Sequence, residues 1–223
     1  MGKAERKRWA ANVKAMEIVA KDRSEITDED IRFLRENYTS TGGLLPKGFN
    51  GGAFFTPTHV AKFMWAVLKP RLPKAPKVLE PAAGAGVFLE HAPADAEITA
   101  IELDPTSAKV TSLIYPHANV IQGNAILHNR ENYYDVVIGN PPYGETIAIK
   151  TDEGDFSDWK TLSKRKNEWR GKSEAVFIEH AIRNVKPGGY IAFILPMGIS
   201  YNSQTRKARQ LLYDNCWQVA TIM

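Results

Sequence analysis

Val78-Leu79-Glu80-Pro81-Ala82-Ala83-Gly84-Ala85-Gly86-Val87-Phe88-Leu89 runs from an apolar strand into small residues and then into a helical pattern. The small residues leave the backbone bare for close approach by a ligand, and Gly84 and Gly86 are the conformationally permissive positions. A glycine turn of this kind serves tight helix–strand packing equally well, so its surroundings must decide. About 20 residues on, a second strand ends in Ile101-Glu102-Leu103-Asp104, a place from which a carboxylate can accept both hydroxyls of a ribose. Glu102 takes that role. Asp104, followed by Pro105, reads as a helix N-cap beside a proline at the first helical position. Glycine turn and acidic strand end together point to a nucleoside cofactor.

Working outward, short apolar runs alternate with helical patterns. Strands are expected at Lys77–Pro81, Ile98–Leu103, Val120–Gln122, Tyr134–Gly139 and Tyr190–Leu195, and helices at 85–91, 105–115, 174–186 and 203–214. This alternation is the βαβ signature of an α/β fold with a mostly parallel central sheet flanked by helices. Trp217 to Met223 reads as one more strand, and the chain is expected to be one part of a larger assembly. Residues 3 to 38 read as two helices ahead of the main domain. The second starts at Thr27, whose hydroxyl caps it with Asp30 at the capping-box position. In the first, Trp9, Val13, Met16, Ile18 and Val19 are expected on one buried face, opposite a solvated basic face. Ser40 to Gly52 is glycine-rich and reads as a loop. The expected division is a helical appendage and loop over 1–52, then a catalytic domain over 53–223 with a polar insert at about 144–173.

Composition narrows the chemistry. The 223 residues carry a formal charge of +4 and a pI near 9.0, which permits a polyanionic partner without demanding one. The single cysteine, Cys216, cannot form an internal disulfide, and no Pro-Cys pair offers a thiolate for attack at a pyrimidine ring carbon. Five histidines (His59, His91, His117, His128, His180) lack ligand spacing, so no metal is expected. No apolar stretch approaches the roughly 18 residues of a membrane span. A cytoplasmic location with no membrane partner is expected.

The fourth strand runs straight into Asn140-Pro141-Pro142-Tyr143. Two prolines in succession remove two backbone donors and fix φ, leaving a rigid edge that shows carbonyls. The Asn140 side-chain oxygen and the Pro141 carbonyl can take the two hydrogens of an exocyclic amino group and aim its lone pair at an electrophile. Tyr143 offers a flat face for a base, worth about 1–3 kcal/mol, comparable with the few kcal/mol needed to unstack that base from a duplex. After the third strand, Gly123-Asn124-Ala125 presents an amide that either accepts from an adenine amino group or shapes a turn. Upstream, Phe54-Phe55-Thr56-Pro57 precedes a helix expected at 57–69, with Thr56 as N-cap and Pro57 as first helical residue. The free N–H groups of that helix start can hold a carboxylate. Trp159 and Trp169, interleaved with Lys160, Lys164, Arg165, Lys166, Arg170 and Lys172 in the insert, read either as a strand-contacting loop or as a solvated flexible one. Arg206, Lys207 and Arg209 read as an exposed helix face.

In this order, Phe-Phe-Thr-Pro, LEPAAGAG, IELDP, GNAI, YDVVIGNPPYG and EAVFIEHAIRNVKPGGYIAFILP, the chain resembles the S-adenosylmethionine-dependent N6-adenine DNA methyltransferases. The motif order is the gamma type, found in type I and IIG-like restriction–modification methylases. The resemblance covers about Ala53 to Met223 and implies a Rossmann-like methyltransferase fold. It implies that Phe55, Thr56, Pro57, Glu80, Pro81, Ala82, Gly84 and Gly86 line the methionine part of the cofactor. Glu102 and Leu103 would then hold the ribose side, Asn124 and Ala125 the adenine, and Asn140, Pro141, Pro142 and Tyr143 the target base, with Asn140 also touching the cofactor. It further implies double-stranded DNA with a flipped adenine as substrate. A target-recognition domain or subunit, a helicase or a restriction subunit is implied as partner, since the family's last catalytic hairpin and recognition domain lie beyond the motifs present. Asn124 stands where such enzymes often carry Asp, and keeps the acceptor. Two other readings stay open at this point: methylation of a glutamine amide or a ribosomal RNA amino group, and a non-catalytic cofactor-binding or scaffold module.

Overall fold

Val78 and Leu79 are buried on opposite faces of the same strand, so the strand that opens the glycine turn must lie between two layers. A computed structural model of the protein, describing residues 3–39 and 56–221, shows how. Strand β1 (Lys77–Glu80) is central in a five-stranded parallel sheet with β2 (Glu97–Glu102), β3 (Asn119–Gln122), β4 (Tyr134–Gly139) and β8 (Val185–Phe193), in the order β3-β2-β1-β4-β8. The five strands were all expected, with β8 starting earlier. The chain moves outward from β1 to β3 and then returns to β4 on the other side of β1. That reversal opens a crevice at the carboxyl ends of β1 and β4, where ligands of open α/β sheets bind.

Helices α1 (Lys3–Ala20), α2 (Asp28–Asn37), α3 (Thr58–Leu68) and α4 (Pro105–Ile114) cover one face. Ile18, Leu34, Trp65 and Val110 join Val78, Ala100, Val136 and Ile138 in one cluster there. The two amino-terminal helices therefore share the core of the sheet: Tyr38 reaches the Ser107 hydroxyl at 2.7 Å, and Arg35 donates to the Ile114 carbonyl. The Thr27–Asp30 capping box is present, and Asp104 caps α4 through the Ser107 N–H. Helix α1 turns a different face inward from the one expected. Asn12, Ala15, Ile18 and Val19 are buried, while Trp9, Val13 and Met16 are exposed. The docking face follows i, i+3, i+6 and i+7 from Asn12, and the larger side chains fall beside it.

On the other face, α5 (Ser173–Asn184) packs over Leu79, Ile101 and Val137. The segment expected as a polar insert joins this layer as a three-stranded antiparallel sheet, ordered β5-β7-β6, of β5 (Thr146–Lys150), β6 (Ser163–Arg165) and β7 (Glu168–Lys172). The segment is a packed sheet in place of a solvated flexible insert: Phe156, Trp159 and Trp169 are buried, with the Phe156 ring edge-on to both tryptophans. The Glu179 carboxylate on α5 fastens the segment by accepting from the N–H groups of Lys160 and Thr161 and from the Thr161 hydroxyl. His180 stacks on Trp159, and burial lowers its pKa to about 4, so it is a neutral core residue.

Two more expectations fail. No regular helix forms at 85–91; turns lead into one 3-10 turn at Leu89–His91, because Gly84 and Gly86 adopt φ of +54° and +76°, outside the helical region. Residues 216–221 form no strand, and Trp217 is 96% exposed; α6 (Arg206–Asn215) is the last regular element among the described residues. The glycine-rich segment 40–52 lies outside the described residues. Among those described, no helix is long and apolar enough to cross a membrane.

Candidate active site

The glycine turn is held from three sides. Thr111 Oγ1 of α4 donates to the Gly84 carbonyl at 2.8 Å, the Ala83 N–H donates to the Ile101 carbonyl, and the Glu102 carboxylate accepts from the Gly84 N–H at 2.6 Å. The second Glu102 oxygen accepts from the Asp104 N–H at 2.8 Å. Glu102 thus braces the turn as well as facing a ligand, and each oxygen keeps a lone pair for a ribose hydroxyl. Burial pushes its carboxyl pKa up, opposed by the Asp104 and Gly84 donors. The two glycines are required for different reasons. At Gly86 a Cβ would stand 2.6 Å from Tyr115 Cε2, whereas at Gly84 it would meet nothing within 4 Å, so the turn is open to a ligand on that side. Trp65 of α3 fastens the far end by donating to the Phe88 carbonyl at 2.7 Å.

Glu80, at the end of β1, is 1% exposed, and its Oε2 has no hydrogen-bond partner among the described residues. Burial, and then the charge of Glu102, push its pKa well above the ordinary carboxylate value. An orphaned carboxyl under a ligand crevice is a site for a donor or a cation. Glu80 lines the same crevice as Thr39, Thr56, Ala82, Ala83, Gly84 and Asn140. Pro81 is buried and adjoins Gly139 across the strands.

Thr56 is not the N-cap expected. The helix starts one residue later, at Thr58, with Pro57 at the cap, and Thr56 Oγ1 accepts from Asn140 Nδ2 at 3.1 Å. This bond ties the start of α3 to the Asn-Pro-Pro-Tyr edge. It engages the donor end of the Asn140 amide and leaves the oxygen as the end suited to an amino group. Beyond the edge, the Gly144 N–H donates to Glu174 of α5, and Glu145 exchanges hydrogen bonds with Ser173. These bonds fix the segment carrying the half-buried Tyr143. Glu174 was not singled out in the sequence; an acid in the first turn of a helix gives no signal of its distant partner.

The adenine-side residues divide. Asn124 caps a short 3-10 turn, its oxygen accepting from the Ile126 N–H at 3.1 Å, so the turn role is filled while one lone pair remains. Ala125 is buried beside it. Leu103 is 69% exposed next to Glu102, an apolar side chain at the crevice mouth. Phe55 lies outside the described residues. Among the described residues, no group of three or more His, Cys, Asp or Glu side chains is placed to hold a metal ion.

A parallel sheet reversing at β1/β4, with a glycine turn and an acidic strand end on one side of the reversal, defines the Rossmann-like class of nucleotide-binding α/β folds. Within it, residues 33–223 match the N-6 DNA methylase family, and the chain belongs to that family. It is 31% identical over 168 residues to the type II methyltransferase M.HincII of Haemophilus influenzae, covering 74% of this chain and 31% of that protein. It is 26% identical over 210 residues to the "Defense against restriction protein B" of Escherichia phage P1, covering 92% of this chain and 9% of that protein. The chain therefore spans less than a third of either relative's length. Among solved structures, the methyltransferase subunit of a type I restriction–modification system from Streptococcus thermophilus superposes with a TM-score of 0.56 at 19% identity, over 72% of this chain and 38% of that one.

Proposed function

We propose that the chain is the catalytic module of an enzyme transferring a methyl group from S-adenosylmethionine to the N6 amino group of adenine in DNA. One observation carries this reading: Thr56, Glu80, Ala82 to Gly84 and Asn140 line a single crevice, so a cofactor side and an acceptor-rich edge meet at the switch point of the sheet. The residues fit the cofactor. The open side of Gly84 admits close approach, Glu102 keeps a lone pair on each oxygen for the ribose, and the orphaned Glu80 carboxyl suits the methionine ammonium. When bound, S-adenosylmethionine supplies a methyl group already electrophilic on its sulfonium sulfur.

The chain's own task is positioning. Asn140 Oδ1 and the Pro141 carbonyl accept the two amino hydrogens of a flipped adenine, drawing its lone pair out of conjugation and aiming it at the methyl carbon. Thr56 holds the amide in the orientation this requires. Tyr143 stacks on the base and offsets its unstacking from the duplex. With the methyl donor bound, this edge would hold the amino nitrogen in line for transfer of the methyl group, and the proton the nitrogen sheds would pass to solvent. No strong base is needed before the bond forms.

DNA is preferred over glutamine amides or ribosomal RNA because the family and the curated relatives are DNA methylases and restriction-related proteins. The share of those relatives that the chain spans, together with its likeness to a type I subunit, supports a partner domain or subunit for target recognition. A cytoplasmic, nucleoid-associated setting follows from this reading. The test is incubation with labelled S-adenosylmethionine and DNA, RNA or release-factor protein, followed by nucleoside analysis. Label in N6-methyl-2′-deoxyadenosine of DNA supports the proposal; label confined to RNA or protein overturns it.

A further inference from the structure

The three-stranded sheet β5-β7-β6 has an inner and an outer face of opposite character. Ile147, Ile149 and Trp169 point inward to the core over α5. Alternation then sends Thr146, Ala148 and Lys150 of β5 outward, together with their directly paired neighbours Lys172, Arg170 and Glu168 of β7, and Ser163 and Arg165 of β6. The outer face consists of three rows: Thr146–Lys172, then Ala148–Arg170–Ser163, then Lys150–Glu168–Arg165. It carries four cations against one carboxylate, and Glu168 pairs with Nε and Nη2 of Arg170 at 2.8 and 2.7 Å, so the face keeps a net charge of +3 through Lys150, Arg165 and Lys172. The remaining positions hold short side chains, so the face is flat.

Its placement matters as much as its charge. The first row adjoins the Glu145–Ser173 clamp, two residues from Gly144, so the face begins at the rim that carries Tyr143. At about 7 Å between successive same-face residues, the cations extend about 14 Å away from that rim. Arg, Lys and Ser side chains are the usual partners of phosphate oxygens, and such contacts position a duplex without reading its sequence.

We propose that the outer face of β5-β7-β6 is a track for the phosphate backbone of duplex DNA, holding the strand beside the base to be extruded. The inference rests on the DNA reading above and adds a surface to it. The test is binding of the chain to a fluorescent 20-base-pair duplex between 50 and 200 mM salt, for the wild type, the pair Lys150→Ala/Arg165→Ala, and the control Arg206→Ala on α6. Circular dichroism and thermal midpoint verify that each variant is folded. Each phosphate contact contributes about 0.9 to the slope of log affinity against log salt, so the paired variant should be shallower by roughly 2 and weaker on every sequence, with the control unchanged.

An unchanged slope in the paired variant, an equal loss in the control, or no duplex binding by the wild type would each overturn the track. So would weakened binding to an RNA hairpin with duplex DNA binding intact, which would assign the face to RNA. Methyl transfer by the wild type to DNA, RNA and protein is measured in parallel. A lowered slope without DNA methylation would remove the catalytic reading and keep the surface; DNA methylation with an unchanged slope would do the reverse.

Discussion

Replacing Thr56 with valine removes one hydroxyl at nearly constant shape, and the consequence can be worked through the 3.1 Å bond it makes to Asn140 Nδ2. Thr56 is buried, so the bond would be lost in a place where water is a poor substitute. Breaking a buried bond of this kind costs about 1–3 kcal/mol. Asn140 escapes that cost by rotating or flipping its amide, which turns a donor toward the target amino group. If turnover needs the original orientation, the same energy appears in the barrier, and kcat falls roughly 5- to 150-fold. Thr56→Ser keeps the oxygen and should stay within about 3-fold of wild type on the same basis. The assay is single-turnover methyl transfer to DNA at saturating S-adenosylmethionine, with cofactor affinity measured separately by calorimetry. A Thr56→Val protein with unchanged kcat and only weakened cofactor binding would refute the positioning role and leave Thr56 as a cofactor contact.

Three further outcomes follow from the crevice. The Glu80 pKa is raised in the folded state, so the fold holds a proton that the unfolded chain releases above pH about 4.5; wild-type stability should therefore fall as pH rises from there toward the folded pKa. Glu80→Gln lacks this loss, and urea unfolding should find it more stable than wild type at pH 8 with the two converging near pH 4; parallel profiles would contradict the protonated carboxyl. Glu102→Gln sets an NH2 against either the Gly84 or the Asp104 N–H, and should lower unfolding free energy by about 1–3 kcal/mol even without cofactor. A variant as stable as wild type would show that Glu102 does not brace the turn. Alanine at Gly84 or Gly86 must take a left-handed φ, at roughly 1–2 kcal/mol, but only at Gly86 does the new Cβ also stand 2.6 Å from Tyr115. Gly86→Ala should therefore depress the thermal midpoint clearly more than Gly84→Ala.

The core of the fold was readable because its strands are buried on both faces and so written as continuous apolar runs: Val78-Leu79, Val136-Val137-Ile138. Caps were readable for a similar reason, since Thr27 and Asp104 bond residues only three positions away. Contacts between distant segments were not. Thr56 looked like a cap from its neighbours, and its actual partner lies 84 residues on. Glu102 was assigned to a ligand, but nothing local discloses its bond back to Gly84. Periodicity missed the positive φ values that replace a helix after Gly84. In the insert, charged residues at exposed positions masked the alternation of Ile147, Ile149 and Trp169, and the two tryptophans were read as surface when they are the core of a small sheet. The order of the motifs nevertheless identified which loops meet, because the sheet reversal brings the ends of β1 and β4 together.

Asn140→Ala tests the central claim most directly, with transfer of labelled methyl to DNA and calorimetric titration of S-adenosylmethionine measured on the same preparation. Transfer should fall by at least about 100-fold while cofactor affinity stays close to wild type, because the lost oxygen serves the amino acceptor in the transition state. Full transfer by the folded variant would contradict the claim that Asn140 aims the amino lone pair at the methyl carbon.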